Sequence, residues 1–204
     1  MVSTAAEIRS RIDRSRPGVF FSVDDYPVEK RVAAETALSR MVSEGKVLRA
    51  RRGLYWKGGK SRFGPGRPAP EAIARKVMEG RGFGPTGWSA TSSLGLTTQV
   101  PAHPTFVVVG AVPGGLNGVE VRSRSNLERV RLNLTFLEIA LLETLRDYPR
   151  YVDHDWQDLS AHVRELAADG NLRLDRVVRA AAGERSREVR ELAIMLNDES
   201  QMAA

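Results

Sequence analysis

"KVLRARRGLYWKGGKSR", residues 46–62, carries seven positive charges and no negative one around Leu54-Tyr55-Trp56. Apolar and charged residues alternate on either side of Arg51-Arg52-Gly53. That is the pattern of two antiparallel strands joined by a tight turn. Gly53 supplies the positive φ that a three-residue hairpin loop requires. A ribbon charged in this way does more than cover a core: its surface suits a polyanion.

The residues before the hairpin decide what it belongs to. In "STAAEIRSRIDRSRPG", Ser3 is an N-cap candidate, Ala5, Ile8 and Ile12 recur at helical spacing, and Pro17-Gly18 ends the helix. "VFFSVDDYP" is a short apolar segment in which Ser22 caps a brief helix through Tyr26. Pro27 opens a longer helix, roughly 28–44, closed by Gly45, with Ala34, Leu38, Met41 and Val42 on its apolar face. Helix, short helix, longer helix, β-hairpin is the order of a winged helix-turn-helix. In that motif the last helix enters the major groove and the hairpin lies along phosphates.

Charge supports this reading. Residues 1–67 hold 15 Lys and Arg against 7 Asp and Glu, a balance of +8, and residues 68–204 hold 16 against 18, a balance of −2. The net charge of +6 therefore comes from the first third alone. Placing Leu38 at the centre of the buried face, and turning about 100° per residue, puts Glu29, Val32, Ala33, Thr36, Ser39, Arg40 and Ser43 on the outer arc. Lys30 and Arg31 sit at the amino end. Arg40 has the reach for guanine or phosphate, and Thr36 or Ser39 for a base edge. The wing adds Arg49, Arg51, Arg52, Lys57, Lys60 and Arg62, suited to phosphates or a narrow minor groove. Tyr55 and Trp56 are expected to anchor the hairpin on the helices. Glu29 or Glu35 is placed to neutralise Lys30 or Arg31.

"KGGKSRFGPGRPAP", residues 57–70, has neither helical nor strand period and is rich in Gly and Pro. The expected organisation is a winged helix over 1–62, a linker over 63–70 and a second domain over 71–204. In the second part, helices are expected in "PEAIARKVMEG", near Gly87-Trp88, in "TFLEIALLETLRDYP" with a Thr135/Glu138 capping box, in "DWQDLSAHVRELAADG", and in two charged segments toward the end. "TFVVVG" reads as a buried strand and "GVEVRSRS" as a half-exposed one. The whole is α+β: a winged helix-turn-helix followed by a mixed domain with a small sheet and several helices.

Several chemistries are excluded or unsupported. No run of apolar residues has the length of a membrane span. The charged first ten residues lack the apolar core of a secretory signal, so a cytoplasmic protein is expected. The chain has no cysteine, which removes disulfides and thiolate metal sites. "GGKS" at 58–61 resembles the end of a phosphate-binding loop, but Leu54 stands where its first Gly belongs, and Pro65 and Pro68 fall where its helix must begin. His154 and His162 flank a helix start rich in acids, a pattern of N-terminal capping more than of metal binding. Ser89, Ser92 and Ser93 lack a G-x-S-x-G context or a paired base. No catalytic set and no cofactor motif assembles, so an enzyme is not expected.

Two stretches together, "ALSRMVSEGKVLRARRGLYW" (37–56) and "GPTGWSATSSLGLTTQVPAHPTFVVVG" (84–110), resemble the AbiEi-type antitoxins, in the branch built on a domain of unknown function. The resemblance spans residues 3–150 and extends more loosely beyond; the two charged helices at the end have no match in it. It implies a chain encoded beside an AbiEii-like nucleotidyltransferase toxin. The N-terminal domain would bind repeats in the operon's promoter and repress transcription, and the C-terminal domain would carry the antitoxin activity. The DNA-binding positions it implies are Lys30, Arg31, Thr36, Ser39, Arg40, Arg49, Arg51 and Arg52. It supplies no catalytic residues. Inverted repeats would be met by two winged helices, from a homodimer or from cooperative monomers. The alternative is a regulator without a toxin partner whose second domain binds an effector in a pocket near Trp88 and Phe106. A further alternative, an enzyme with a DNA-targeting domain, requires a cleft with convergent acids or histidines.

Overall fold

The computed structural model describes residues 3–62, 64–153 and 155–202, apart from the side chains of Lys60 and Ser61. Two compact units divide the chain, Met1–Lys76 and Val77–Ala204.

The first unit begins with α1 (Thr4–Arg14), started by the Ser3 hydroxyl accepting the Ala6 amide. Strand β1 (Val19–Ser22) leads into a 3-10 turn at Val23–Asp25. Ser22 and Asp25 cap that turn reciprocally, each side chain accepting a backbone N–H of the other's segment. The expected second helix is thus reduced to a single turn. A second 3-10 turn, Val28–Lys30, runs into α2 (Arg31–Ser43). Strands β2 (Leu48–Arg51) and β3 (Leu54–Lys57) form the hairpin, and β1 pairs with β3 to give the sheet order β1-β3-β2. Gly53 has φ +75° at the turn, and the register shifts between Arg49 and Arg51.

Ile8 and Ile12 of α1, Phe21, Tyr26, Ala34, Ala37, Leu38 and Met41, Val47 and Tyr55 form one buried cluster. The apolar stripe of α2 therefore faces α1 and the sheet. Ala37, which the reading of the stripe omitted, belongs to it, whereas Val42 lies at its margin. All seven residues of the expected outer arc are exposed.

Residues 58–62 and 64–66 do not leave the unit. Beyond β3, β4 (Lys60–Ser61) and β5 (Gly64–Pro65) make a two-residue antiparallel pair. The indole N–H of Trp56 donates to the Gly66 carbonyl at 3.0 Å, and the Gly66 amide donates to Gly59. The backbones approach so closely that a Cβ on Gly58 would lie 2.2 Å from the Gly66 carbonyl oxygen. Residues 64–66 of the expected linker thus fold back beside the wing. The division between units falls later, at the end of α3 (Pro70–Val77).

In the second unit β6 (Gly84–Pro85) pairs antiparallel with β7 (Thr105–Val109), which pairs parallel with β8 (Glu120–Arg124). Around this sheet stand α4 (Trp88–Ser93), α5 (Glu128–Arg131), α6 (Phe136–Asp147), α7 (Trp156–Ala168), α8 (Leu174–Ala181) and α9 (Arg187–Met202). Helix α6 is the hub: Ile139, Ala140, Leu141, Leu142 and Leu145 are all buried in one cluster with residues of α4, β7, α7, α8 and α9. Its Thr135/Glu138 capping box is present as expected. The short strand β6, the short helix α5 and the parallel β7–β8 pairing were not anticipated. The fold is α+β.

Candidate nucleic-acid interface

The candidate interface is built on α2 and the β2–β3 hairpin. Cross-strand partners project from the same sheet face. Arg49 is paired with Tyr55 and Tyr55 with Phe21, so Arg49 shares the face whose inner part is buried against the helices. The Tyr55 hydroxyl lies 3.3 Å from Ser39 Oγ on the outer arc of α2. This contact fastens the wing to the exposed side of the helix. Tyr55 is fully buried and anchors the hairpin on the helices as expected, whereas Trp56 does not: it packs on Phe20 of β1 at 4.6 Å, away from the helix-facing cluster.

The cations of this unit are only partly paired: Arg75 meets Glu71 at 3.0 Å, whereas, among the described residues, Arg14, Arg16 and Arg67, outside α2 and the hairpin, are exposed without an ion pair. Arg9 pairs with Glu44 at 3.1 Å, Arg11 with Asp25 at 3.3 Å, Arg31 with Asp24 at 3.4 Å and Lys46 with Asp13 at 3.2 Å. Among the described residues, Lys30, Arg40, Arg49 and Arg52 are exposed and form no ion pair. Arg51 is half-buried, and its Nη1 is shielded from solvent without a hydrogen-bond partner. Arg62 is exposed and engaged by other residues. The Lys60 side chain lies outside the described residues. Glu29 and Glu35 do not take up the expected role of pairing with Lys30 or Arg31; Asp24 takes Arg31, whose Nε also donates to the Tyr26 carbonyl.

Lys57 is a correction. Its ammonium donates to the carbonyls of Ile12 at 2.5 Å, Asp13 at 3.3 Å and Ser15 at 2.7 Å. It therefore closes the carboxyl end of α1, where carbonyls lack intrahelical partners and a positive charge is favoured. A lysine held by three carbonyls inside the fold is not a phosphate ligand. Its position in the hairpin gave no sign of this, because α1 lies more than forty residues away in sequence.

Thr36 spends its hydroxyl on the Val32 carbonyl at 3.0 Å, an intrahelical bond that leaves its methyl as the free end. Between α1 and α2 runs an open groove of about 430 Å³, lined by Ala5, Ala6, Arg9, Ala33, Thr36 and Arg40 among others. Arg9 was not expected at this edge; only the packing of α1 on α2 brings it beside Arg40.

The second unit holds its charges internally. Arg129 is fully buried and lies 2.7 Å from Glu143 and 2.6 Å from Glu184. Arg124 donates to both Glu143 oxygens, at 3.0 and 2.5 Å, and Thr86 donates to Glu143 at 2.8 Å. Arg146 pairs with Glu184, and Asn126 donates to Glu184 at 2.8 Å. Burial pushes the Glu143 carboxyl up, but the Arg124 hydrogen bonds and the charges of Arg129, Arg124 and Arg146 outweigh it and hold the group at about 2. Glu138 is likewise buried yet lowered, through its bonds to Arg173 and Thr135. These groups join β8, α5, α6 and the α8–α9 turn; they brace the unit and present no open site.

His162 Nε2 lies 2.6 Å from the Leu94 carbonyl, so that nitrogen carries the proton and donates. His154 lies outside the described residues. Phe106 is buried against Phe83 at 4.9 Å, and Trp88 meets the edge of Tyr151 at 5.2 Å. Phe106 also meets Phe136 at 6.3 Å.

No family model and no curated protein matches the chain. Among solved structures, the crystal structure of the Rv2827c protein from Mycobacterium tuberculosis is similar at 20% identity and a TM-score of 0.46, over 98% of this chain and 78% of that one. A likeness at this distance assigns neither fold nor function.

Proposed function

We propose that the chain is a cytoplasmic antitoxin that also represses its own operon. The first unit binds promoter DNA, with α2 in the major groove and the hairpin along the flanking phosphates. The second unit counters a nucleotidyltransferase-type toxin. The observation that carries the DNA reading is a group of cations: Lys30, Arg40, Arg49 and Arg52 stand exposed without an ion pair along one helix and the wing beside it, while Arg9, Arg11, Arg31, Lys46 and Arg75 are matched to carboxylates and Arg14, Arg16 and Arg67 are exposed elsewhere on the unit. Unpaired arginines that gain no stability from the fold are available to phosphate. The antitoxin half rests on the resemblance of the 37–56 and 84–110 stretches to AbiEi-type chains. The alternative of an effector-responsive regulator finds little support in a Phe106 that is packed among aromatic rings.

The DNA reading is tested with the duplex that precedes this chain's own reading frame. Each phosphate contact contributes about −0.9 to the slope of log K against log salt. Replacing Arg49 and Arg52 together by Ala is expected to weaken binding sharply at moderate salt and to make the slope shallower by about 2 per bound chain. An unchanged slope removes the wing from the interface.

A further inference from the structure

We infer that Val32, on the outer arc of α2, selects DNA by packing against thymine C5-methyl groups in the major groove. The inference rests on the DNA reading above and names the base that reading leaves open.

Val32 is 78% exposed and Val28, four residues earlier, is 73% exposed. Both lie at the amino end of the helix, the end that meets bases in helix-turn-helix complexes. The rest of the arc is poor in hydrogen-bonding readers. Residues 28–44 contain no Asn or Gln, the side chains that read adenine through two bonds. Ser39 is engaged with Tyr55, and the Thr36 hydroxyl is bonded to the Val32 carbonyl. What the arc offers to a base edge is the Val32 isopropyl group, the Ala33 and Thr36 methyls, the Glu29 carboxylate and one guanidinium, Arg40, with Lys30 beside them at the amino end. In the major groove only thymine presents a methyl, so an apolar arc discriminates for T.

Charge balance points to the same division of labour. Residues 28–44 hold Lys30, Arg31 and Arg40 against Glu29, Glu35 and Glu44 and are neutral overall, whereas residues 46–62 hold seven cations and no acid. The wing supplies attraction to the polyanion. The helix beside it contributes shape and apolar contact.

The test uses the full chain and the duplex upstream of its reading frame, prepared once with thymidine and once with deoxyuridine throughout. Deoxyuridine removes the C5-methyl and leaves base pairing intact. Burial of one methyl-sized group changes affinity about fourfold. The wild type is expected to bind the deoxyuridine duplex at least about fourfold more weakly, and Val32→Ala to show a clearly smaller difference between the two duplexes. Because Val32 is largely exposed, the variant keeps its fold, which circular dichroism checks. Equal binding of both duplexes by the wild type overturns the inference. So does an equal loss in wild type and Val32→Ala, which would trace the methyl effect to DNA shape. Failure of the wild type to bind any duplex at low salt removes the DNA reading itself, and this inference with it; that outcome is distinct from the other two.

Discussion

Two side chains of like sign or like type can have opposite roles, and only their surroundings separate them. Lys57 and Arg52 both belong to the basic hairpin, but Lys57 is held by three carbonyls of the α1 terminus and Arg52 is exposed without an ion pair. Lys57→Met is therefore expected to lower stability by about 1.5–3 kcal/mol, the range for a hydrogen-bonded charge, and to leave the salt slope of DNA binding unchanged. Urea unfolding and binding titrations check the two halves separately. A stable variant with a slope shallower by about 1 would return Lys57 to the phosphates. Glu143 is the corresponding residue of the second unit. With three arginines around it, Glu143→Gln leaves buried positive charge uncompensated and is expected to cost about 3–5 kcal/mol in urea unfolding. The pH dependence has a definite sign. Glu143 sits at about 2 in the fold against 4.5 ordinarily, so its stabilisation is fully present above about 4.5 and is lost as pH falls toward 2. The contribution is on the order of 3 kcal/mol. Acid titration of the wild type should show this loss of stability, and the variant should lack it.

At the scale of elements, the wing is more than a two-stranded ribbon. An isolated hairpin is marginal in water. Here β3 is flanked by β1 and β2, and residues 64–66 return to Trp56. Gly58 makes that return possible. A Cβ there meets backbone, which has no rotamer by which to move aside. Gly58→Ala is expected to destabilise the first unit by roughly 1–3 kcal/mol. Trp56 should become more solvent-accessible, read as a red shift of its fluorescence. An unperturbed Trp56 would show that the segment does not cover the wing. Helix α2 is fixed by its apolar stripe against α1 and the sheet, which turns Val32, Thr36 and Arg40 outward together. The same rotation that buries Leu38 determines which face of α2 is exposed.

For the molecule as a whole, the two units assign the proposed activities to separable parts. A fragment covering residues 1–76 includes the wing with its covering segment. It is expected to bind the upstream duplex with the salt slope of the full chain, whereas a fragment ending at residue 62 loses the Trp56–Gly66 bond and should unfold more readily. The fragment 77–204 keeps the Arg129–Glu143–Glu184 brace and the α6-centred core. Under the proposed function, it is expected to restore growth to cells expressing an AbiEii-like nucleotidyltransferase toxin. Rescue by the full chain alone would place the antitoxin activity outside the second unit.

The sequence by itself determined the identity and order of most elements, because these depend on local chemistry. Ser3, Ser22 and Thr135 cap where their hydroxyls reach amides two or three residues on. Gly53 turns the hairpin through its own φ, and the 3.6-residue stripe on α2 named the outer arc before any packing was known. It also located the positive charge in the first third of the chain. Tertiary structure decided everything that depends on residues distant in sequence. It alone separated Lys57 from the other wing cations, folded an apparent linker onto Trp56, and drew Arg124, Arg129, Glu143 and Glu184 from four segments into one buried cluster. Local propensity is carried by neighbouring residues. Whether a charge is free or paired depends on which carbonyl or carboxylate the whole fold brings within about 3 Å of it.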